Sequence, residues 1–255
     1  MREVTDNELA RLALLIGEIT LKNGAATNRT EDTIARILKV KNYTMVEVYV
    51  VTTGLFFTIE NEEGKETTYI KRVSDRMINL RIISKVNDIS RKFCSEEISY
   101  DEAMELLQKI DEYETYSKLT LAVSWGVIAP GFAYAISHDL ITSITGFFIS
   151  FFAFFVYDFL SRKNISAFFN ILITSAFFTY AALVVNDVTN IGYENIIVGC
   201  IMPLVPGIAF INAFRDIFNG DYLASVARIV DVGITTAAIA VGVVLSFNIH
   251  DFIIL

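Results

Sequence analysis

GCIMPLVPGIAFINAFRD, residues 199–216, has the length and apolar character of a membrane helix, yet it carries Pro203 and Pro206 three residues apart. A proline removes one backbone donor and clashes with the carbonyl four residues back, at roughly 3 kcal/mol in a helix interior. Hydrocarbon supplies no water to carbonyls freed in this way, so a broken helix is tolerated at depth only inside protein or beside a wet cavity. With a rise of about 1.5 Å per residue, Pro203 falls about 14 Å and Pro206 about 18 Å below Glu194. That is near the middle of a hydrocarbon core about 30 Å thick. Breaks at mid-depth are where transporters place their solute sites, because half-helix ends offer amides and carbonyls to polar solutes.

The rest of the chain fits a membrane setting. Of 255 residues, 53% are hydrophobic and 20 are Phe, well above a soluble domain. Polarity is unevenly placed: residues 1–117 hold 16 of the 21 Lys+Arg and 21 of the 29 Asp+Glu. The expected layout is therefore a soluble domain over 1–117 and a transmembrane domain over 118–255. Apolar runs at about 119–137, 140–159, 166–186, 194–213 and 226–247 each approach the ~20 residues of a span. Five spans place the two ends of the domain on opposite sides. Loops 160–165 and 214–228 carry Arg162, Lys163, Arg215 and Arg228, whereas 138–139, 187–193 and the tail HDFIIL carry no Lys or Arg. The positive-inside rule then puts the N-terminal domain in the cytoplasm and the C-terminus outside.

Within residues 1–117, ELARLALLIGEITLKNG spaces Leu9, Leu12, Ile16 and Ile19 for a helix from about Asn7 to Asn23, with Gly24 at the C-terminal cap. TNRTEDTIARILKV predicts a second helix, with Thr27 or Thr30 as N-cap and Glu31 and Asp32 in its first turn. Residues 44–72 change period, and their Val, Thr, Tyr and Phe content predicts three short antiparallel strands, with NEEGK as a hairpin loop. RMINLRIISKVNDISRKF and SYDEAMELLQKIDEY return to helical spacing, the latter opening on a Ser99/Glu102 capping box. The fold class is thus an α-helical membrane protein with five spans, preceded by a small α+β domain of helical hairpin, three-stranded sheet and helical pair.

Candidate site residues follow from where polarity enters the apolar runs. Pro203, Pro206 and Gly207 form the break, and Asn212 and Asp216 share a helix face below it. Arg215 and Asp216 sit near the cytoplasmic end, where they could equally snorkel as interfacial anchors. Asp231 enters the last span one turn in, and Arg228 three residues earlier can pair with it; an ionisable group there is a functional hypothesis by default. Asn170, Thr174 and Ser175 on the third span, with Asn186 near its outer end, can line a path or bond helices together. Pro130-Gly131 alone reads as a packing kink, Asp158 as a solvated interface charge, and His138 and His250 as exposed outer residues. Cys94 and Cys200 have neither disulfide nor zinc spacing. Net charge is −8 and no basic patch is visible, which argues against a nucleic-acid partner. No nucleotide loop, metal motif or nucleophile elbow is present, so enzyme chemistry, a cofactor or a metal is not expected.

LVPGIAFINAFRDIFNGDYLASVAR, residues 204–228, resembles the signature of the threonine/serine exporter family, in its YjjP-type larger subunit. The N-terminal Gly24, Ala25, Thr27, Arg29 and Glu31 resemble a second motif of that family. Ala26 stands where the family often has Glu, so any role of that carboxylate is absent or moved. The resemblance implies export of a small carboxylate solute, threonine/serine or a dicarboxylate such as succinate, across the cytoplasmic membrane. It also implies a small all-membrane partner subunit or a homo-oligomer. On this expectation Pro203, Pro206, Gly207, Asn212 and Asn170 meet the solute, while Arg215, Asp216, Arg228 and Asp231 serve ion coupling or gating. A membrane-anchored ligand sensor whose spans only oligomerise, and a passive channel, are the alternatives.

Overall fold

The computed structural model describes residues 4–74, 78–110, 116–163 and 165–254. It divides into two compact units: Met1–Glu114 with Ile208–Ile229, and Thr115–Gly207 with Val230–Leu255.

The first unit is built around α1 (Asp6–Lys22). Thr5 and Glu8 open it with a capping box, which satisfies otherwise orphaned first-turn amides. Leu9, Leu12, Ala13 and Ile16 form a fully buried stripe, and a Cβ on Gly17 would press into Leu55 and Ile34. α2 (Thr27–Leu38) packs alongside and adds Ile34, Ile37 and Leu38 to the same core. β1 (Met45–Val51), β2 (Gly54–Glu60) and β3 (Glu66–Arg72) form an antiparallel sheet in the order β1-β2-β3. Period-two alternation sends Val50, Leu55, Phe57 and Ile59 into the core. α3 (Leu80–Cys94) and α4 (Tyr100–Gln108) follow, the latter opening on the Ser99/Glu102 capping box that its sequence predicts. Residues 76–77 and 111–113 of the expected helical pair lie outside the described residues.

One expected cap is different. Ala26 is the N-cap of α2 and makes no side-chain cap bond. Thr27 is already helical with its hydroxyl used elsewhere, and Thr30 Oγ1 donates back to the Ala26 carbonyl at 3.2 Å. Glu31 and Asp32 consequently lie beyond the first turn.

The remaining helices are α5 (Lys118–Ser137), α6 (Leu140–Arg162), α7 (Ala167–Thr189), α8 (Tyr193–Ile201), α9 (Gly207–Phe218) and α10 (Tyr222–Ile254). Helices α5, α6, α7 and α10 are each long and apolar enough to cross a membrane. Large apolar side chains such as Phe132, Phe148, Phe152 and Phe169 stand exposed on them, as helices solvated by lipid require. The stretch expected as a broken span at 194–213 is two limbs, Tyr193–Leu204 and Gly207–Phe218, bent by 59°, which together meet the same length and apolarity. A 3-10 turn, Met202–Leu204, carries Pro203, and Val205 is extended at φ −62°, ψ 126°. Pro206 imposes that extension, because its ring excludes the helical conformation from the preceding residue. Pro130 produces no such interruption: α5 is continuous through it.

Small residues let the helices of the second unit approach closely. A Cβ on Gly199 of α8 would run into the Ala129 carbonyl of α5, and one on Gly242 of α10 would meet Ser175 and the Leu172 carbonyl of α7. This is how membrane helices gain packing without a hydrophobic driving force between them. Gly199→Ala should therefore lower the thermal midpoint of the detergent-solubilised protein, at an overpacking cost of about 1–3 kcal/mol. Gly131→Ala, which has open space around it, should leave the midpoint unchanged or slightly raised.

Candidate functional site

Two glycine-closed turns make the site, and both belong to the first unit. Between α1 and α2, Gly24 is left-handed at φ +89°, its amide bonds the Leu21 carbonyl at 3.1 Å, and the Ala25 amide bonds the Thr20 carbonyl at 3.0 Å. This is a Schellman motif, in which glycine adopts a conformation that a side chain resists. Between α9 and α10, Gly220 at φ +80° bonds the Ile217 carbonyl at 3.0 Å, and the Asp221 amide bonds the Asp216 carbonyl at 2.8 Å. Asp221 then caps α10 through Oδ1 to the Ala224 amide at 3.3 Å.

A buried polar network joins the turns. Asp216 on α9 is fully buried and Arg228 on α10 nearly so; Arg228 Nε donates to Asp216 Oδ2 at 2.8 Å. Thr27 Oγ1 donates to Asp216 Oδ1 at 3.2 Å, and Arg228 Nη2 donates to the Ala25 carbonyl at 3.0 Å. Asn212, one turn before Asp216, donates Nδ2 to the Gly24 carbonyl at 3.4 Å. The guanidinium thus lies between a carboxylate and a backbone carbonyl. The carboxylate is at the N-terminal end of α2, where the helix dipole favours negative charge. Each ion meets a partner, which a buried pair needs in order to offset its desolvation.

Glu31 borders this network. Its carboxylate accepts the Val50 amide at 2.8 Å. Burial foremost, with the nearby charges of Asp221, Asp32 and Asp216, outweighs that bond and holds the carboxyl above the ordinary glutamate value. Arg29, of the same motif, is exposed.

Several expected residues take different places. Asp216 does not snorkel: it is sealed from solvent against Arg228, whereas Arg215 is exposed. Arg228 is anchored by its hydrogen bonds to Asp216 and Ala25; Asp231 is exposed and has interactions of its own. In the second unit, Asn170 donates to the Tyr157 carbonyl at 3.2 Å and to Ser161 Oγ at 2.7 Å, which ties α7 to α6. Asp158 is bridged by Lys118 at 3.0 Å and Arg162 at 2.9 Å rather than simply solvated. His250 lies within α10, largely buried, with Nε2 at 2.8 Å from Asp187. Among the described residues no cluster of His, Cys, Asp and Glu is arranged for a metal ion.

The family model described as "Putative threonine/serine exporter" matches residues 11–250, which includes both turns of the site. The chain belongs to the threonine/serine exporter family. Among curated proteins it is similar to the Escherichia coli (strain K12) protein described as "Probable succinate transporter subunit YjjP", at 22% identity over 251 residues, 98% of this chain and 97% of that one. No solved structure gives a significant match. Membership places the chain in a transporter family of multi-pass membrane proteins. The two motifs that the sequence presents almost two hundred residues apart are, in the fold, the two sides of one network.

Breaking this pair from one side strands a buried charge, so Asp216→Asn or Arg228→Gln should each lower stability by about 3–5 kcal/mol. The double change Asp216→Leu/Arg228→Met should recover most of that loss in denaturant unfolding. Glu31 makes the opposite kind of prediction. A raised folded-state value means that its stabilising contribution is complete below the ordinary glutamate value of 4.5 and is lost as pH rises through the folded value. Glu31→Gln should thus be more stable than the parent at pH 7 and level with it at pH 4, as read by thermal midpoints across that range.

Proposed function

We propose that this chain is the larger subunit of a split secondary transporter that exports a small carboxylate solute, threonine/serine or a dicarboxylate such as succinate. Residues 1–117 are its cytoplasmic domain and 118–255 its transmembrane domain, crossing five times with the bent α8/α9 pair as the fourth span. Exposed Arg162, Lys163 and Arg215 mark the cytoplasmic side and the C-terminus lies outside. A small all-membrane partner completes the pathway.

The observation that carries this reading is the buried pair between Arg228 and Asp216, the latter on a helix that begins at a double-proline break. At the break, Pro203, Pro206 and Gly207 open the helix. The Gly207 amide bonds the Val205 carbonyl at 2.8 Å, and the amides that follow it in the first turn of α9, which have no intrahelical acceptors, meet the solute carboxylate at the favourable end of the helix dipole. At the other end of α9, Asp216 couples export to a proton. As a carboxylate it holds Arg228 and Thr27; protonated, it no longer balances the guanidinium, and the α1–α2 turn is released. Asn212, whose amide is spent on Gly24, belongs to this latch, and Asn170 acts as packing between α6 and α7. Asp231 is the alternative coupling group.

The test is counterflow of labelled succinate, threonine and serine in proteoliposomes holding the chain and its partner. Asp216→Asn should cut proton-driven export at least about tenfold, equivalent to ~1.4 kcal/mol on the limiting step, while exchange persists. Pro206→Ala should lower both. Absence of counterflow for every solute, or parental export by both variants, contradicts the proposal.

A further inference from the structure

The sheet of the first unit has two edges, and they are finished differently. At β1, the Glu31 carboxylate takes up the Val50 amide at 2.8 Å. At β3 the outward groups can be identified from the ladder. The Val73 amide bonds the Thr53 carbonyl at 2.9 Å and the Asn61 amide bonds the Lys65 carbonyl at 3.2 Å. Antiparallel pairing alternates between bonded and non-bonded residues, so the odd-numbered residues of β3 turn their backbone groups toward β2. Glu66, Thr68, Ile70 and Arg72 therefore point theirs away from the sheet. The same four residues have exposed side chains, on the face opposite the core.

We infer that β3 pairs antiparallel with β3 of a second copy of this chain, centred on Tyr69. That register sets Thr68 opposite the second copy's Ile70 and Glu66 opposite the second copy's Arg72, each twice by symmetry. All four pairs join outward-pointing residues, as the ladder requires, and both ends gain opposite charges directly across the strands. Moving the centre by one residue sets Glu66 opposite Ile70 or Ser74 and loses both charge pairs. The isologous contact is thus self-complementary in one register. The outer face agrees: Tyr49, Phe56 and Ile70 lie in one cross-strand row, with Tyr49 48% and Ile70 66% exposed. Pairing makes the two Ile70 side chains diagonal neighbours and continues the row across a six-stranded sheet. Charged residues otherwise guard such an edge against foreign strands. This inference is independent of solute, coupling and latch.

The experiment uses the full chain in membranes, in a Cys94→Ser background. Thr68→Cys/Ile70→Cys places cysteines across a bonded antiparallel pair, with Cα atoms about 5.5 Å apart, within disulfide reach. Mild oxidation should give a disulfide-linked dimer from this double variant and far less from either single cysteine. Adding Glu66→Arg or Arg72→Glu should reduce the yield several-fold, and adding both should restore it. No dimer from the cysteine pair, a yield indifferent to the single reversals, or failure of the double reversal to restore it overturns the inference.

Discussion

The two glycine turns of the first unit meet at one buried ion pair. Asp216 and Arg228 come from helices whose other surfaces expose Phe210, Ile211, Phe214, Leu223 and Val226, and their charges stand where neither lipid nor water satisfies them. What does is the turn between α1 and α2, which offers the Thr27 hydroxyl to the carboxylate and the Ala25 carbonyl to the guanidinium. In that turn Gly24 takes a left-handed conformation and Ala26 caps α2 without a side-chain hydrogen bond. The Gly24 and Ala25 carbonyls face the network.

Such a pair is weak evidence of stability as such, since well-packed apolar residues often stabilise as much. In the proposed mechanism, protonation of Asp216 removes the balance on Arg228 and frees the α1–α2 turn from α9 and α10. The geometry of the break has a separate local cause: Pro206 forces Val205 into an extended conformation, and the chain resumes as α9 in a new direction. Pro130, with no second proline beside it, leaves α5 continuous.

Local pattern carried far in this sequence. The stripe of α1, the three strands and the Ser99/Glu102 box are each specified within a few residues, and the apolar runs mark where membrane helices occur. The proline pair announced a broken helix. What local pattern does not hold is pairing across the chain: nothing near Arg228 in sequence marks Asp216 and the Ala25 carbonyl as its partners, yet the fold brings both to it. The cap of α2 is hidden for the same reason, because Thr27 serves a carboxylate nearly two hundred residues away rather than its own helix end. His250 was equally hidden, since Asp187 lies on another helix. One signal did point to the network: the two stretches resembling the exporter family are the two that meet.

The most direct test is hydrogen exchange of the full chain in lipid nanodiscs, with Asp216→Asn compared to the parent. If the pair holds the α1–α2 turn, amides over residues 23–30 will exchange faster in the variant while those of β1–β3 keep their protection. Unchanged exchange at the turn would contradict the account, because the turn would then be held by something other than Asp216 and Arg228.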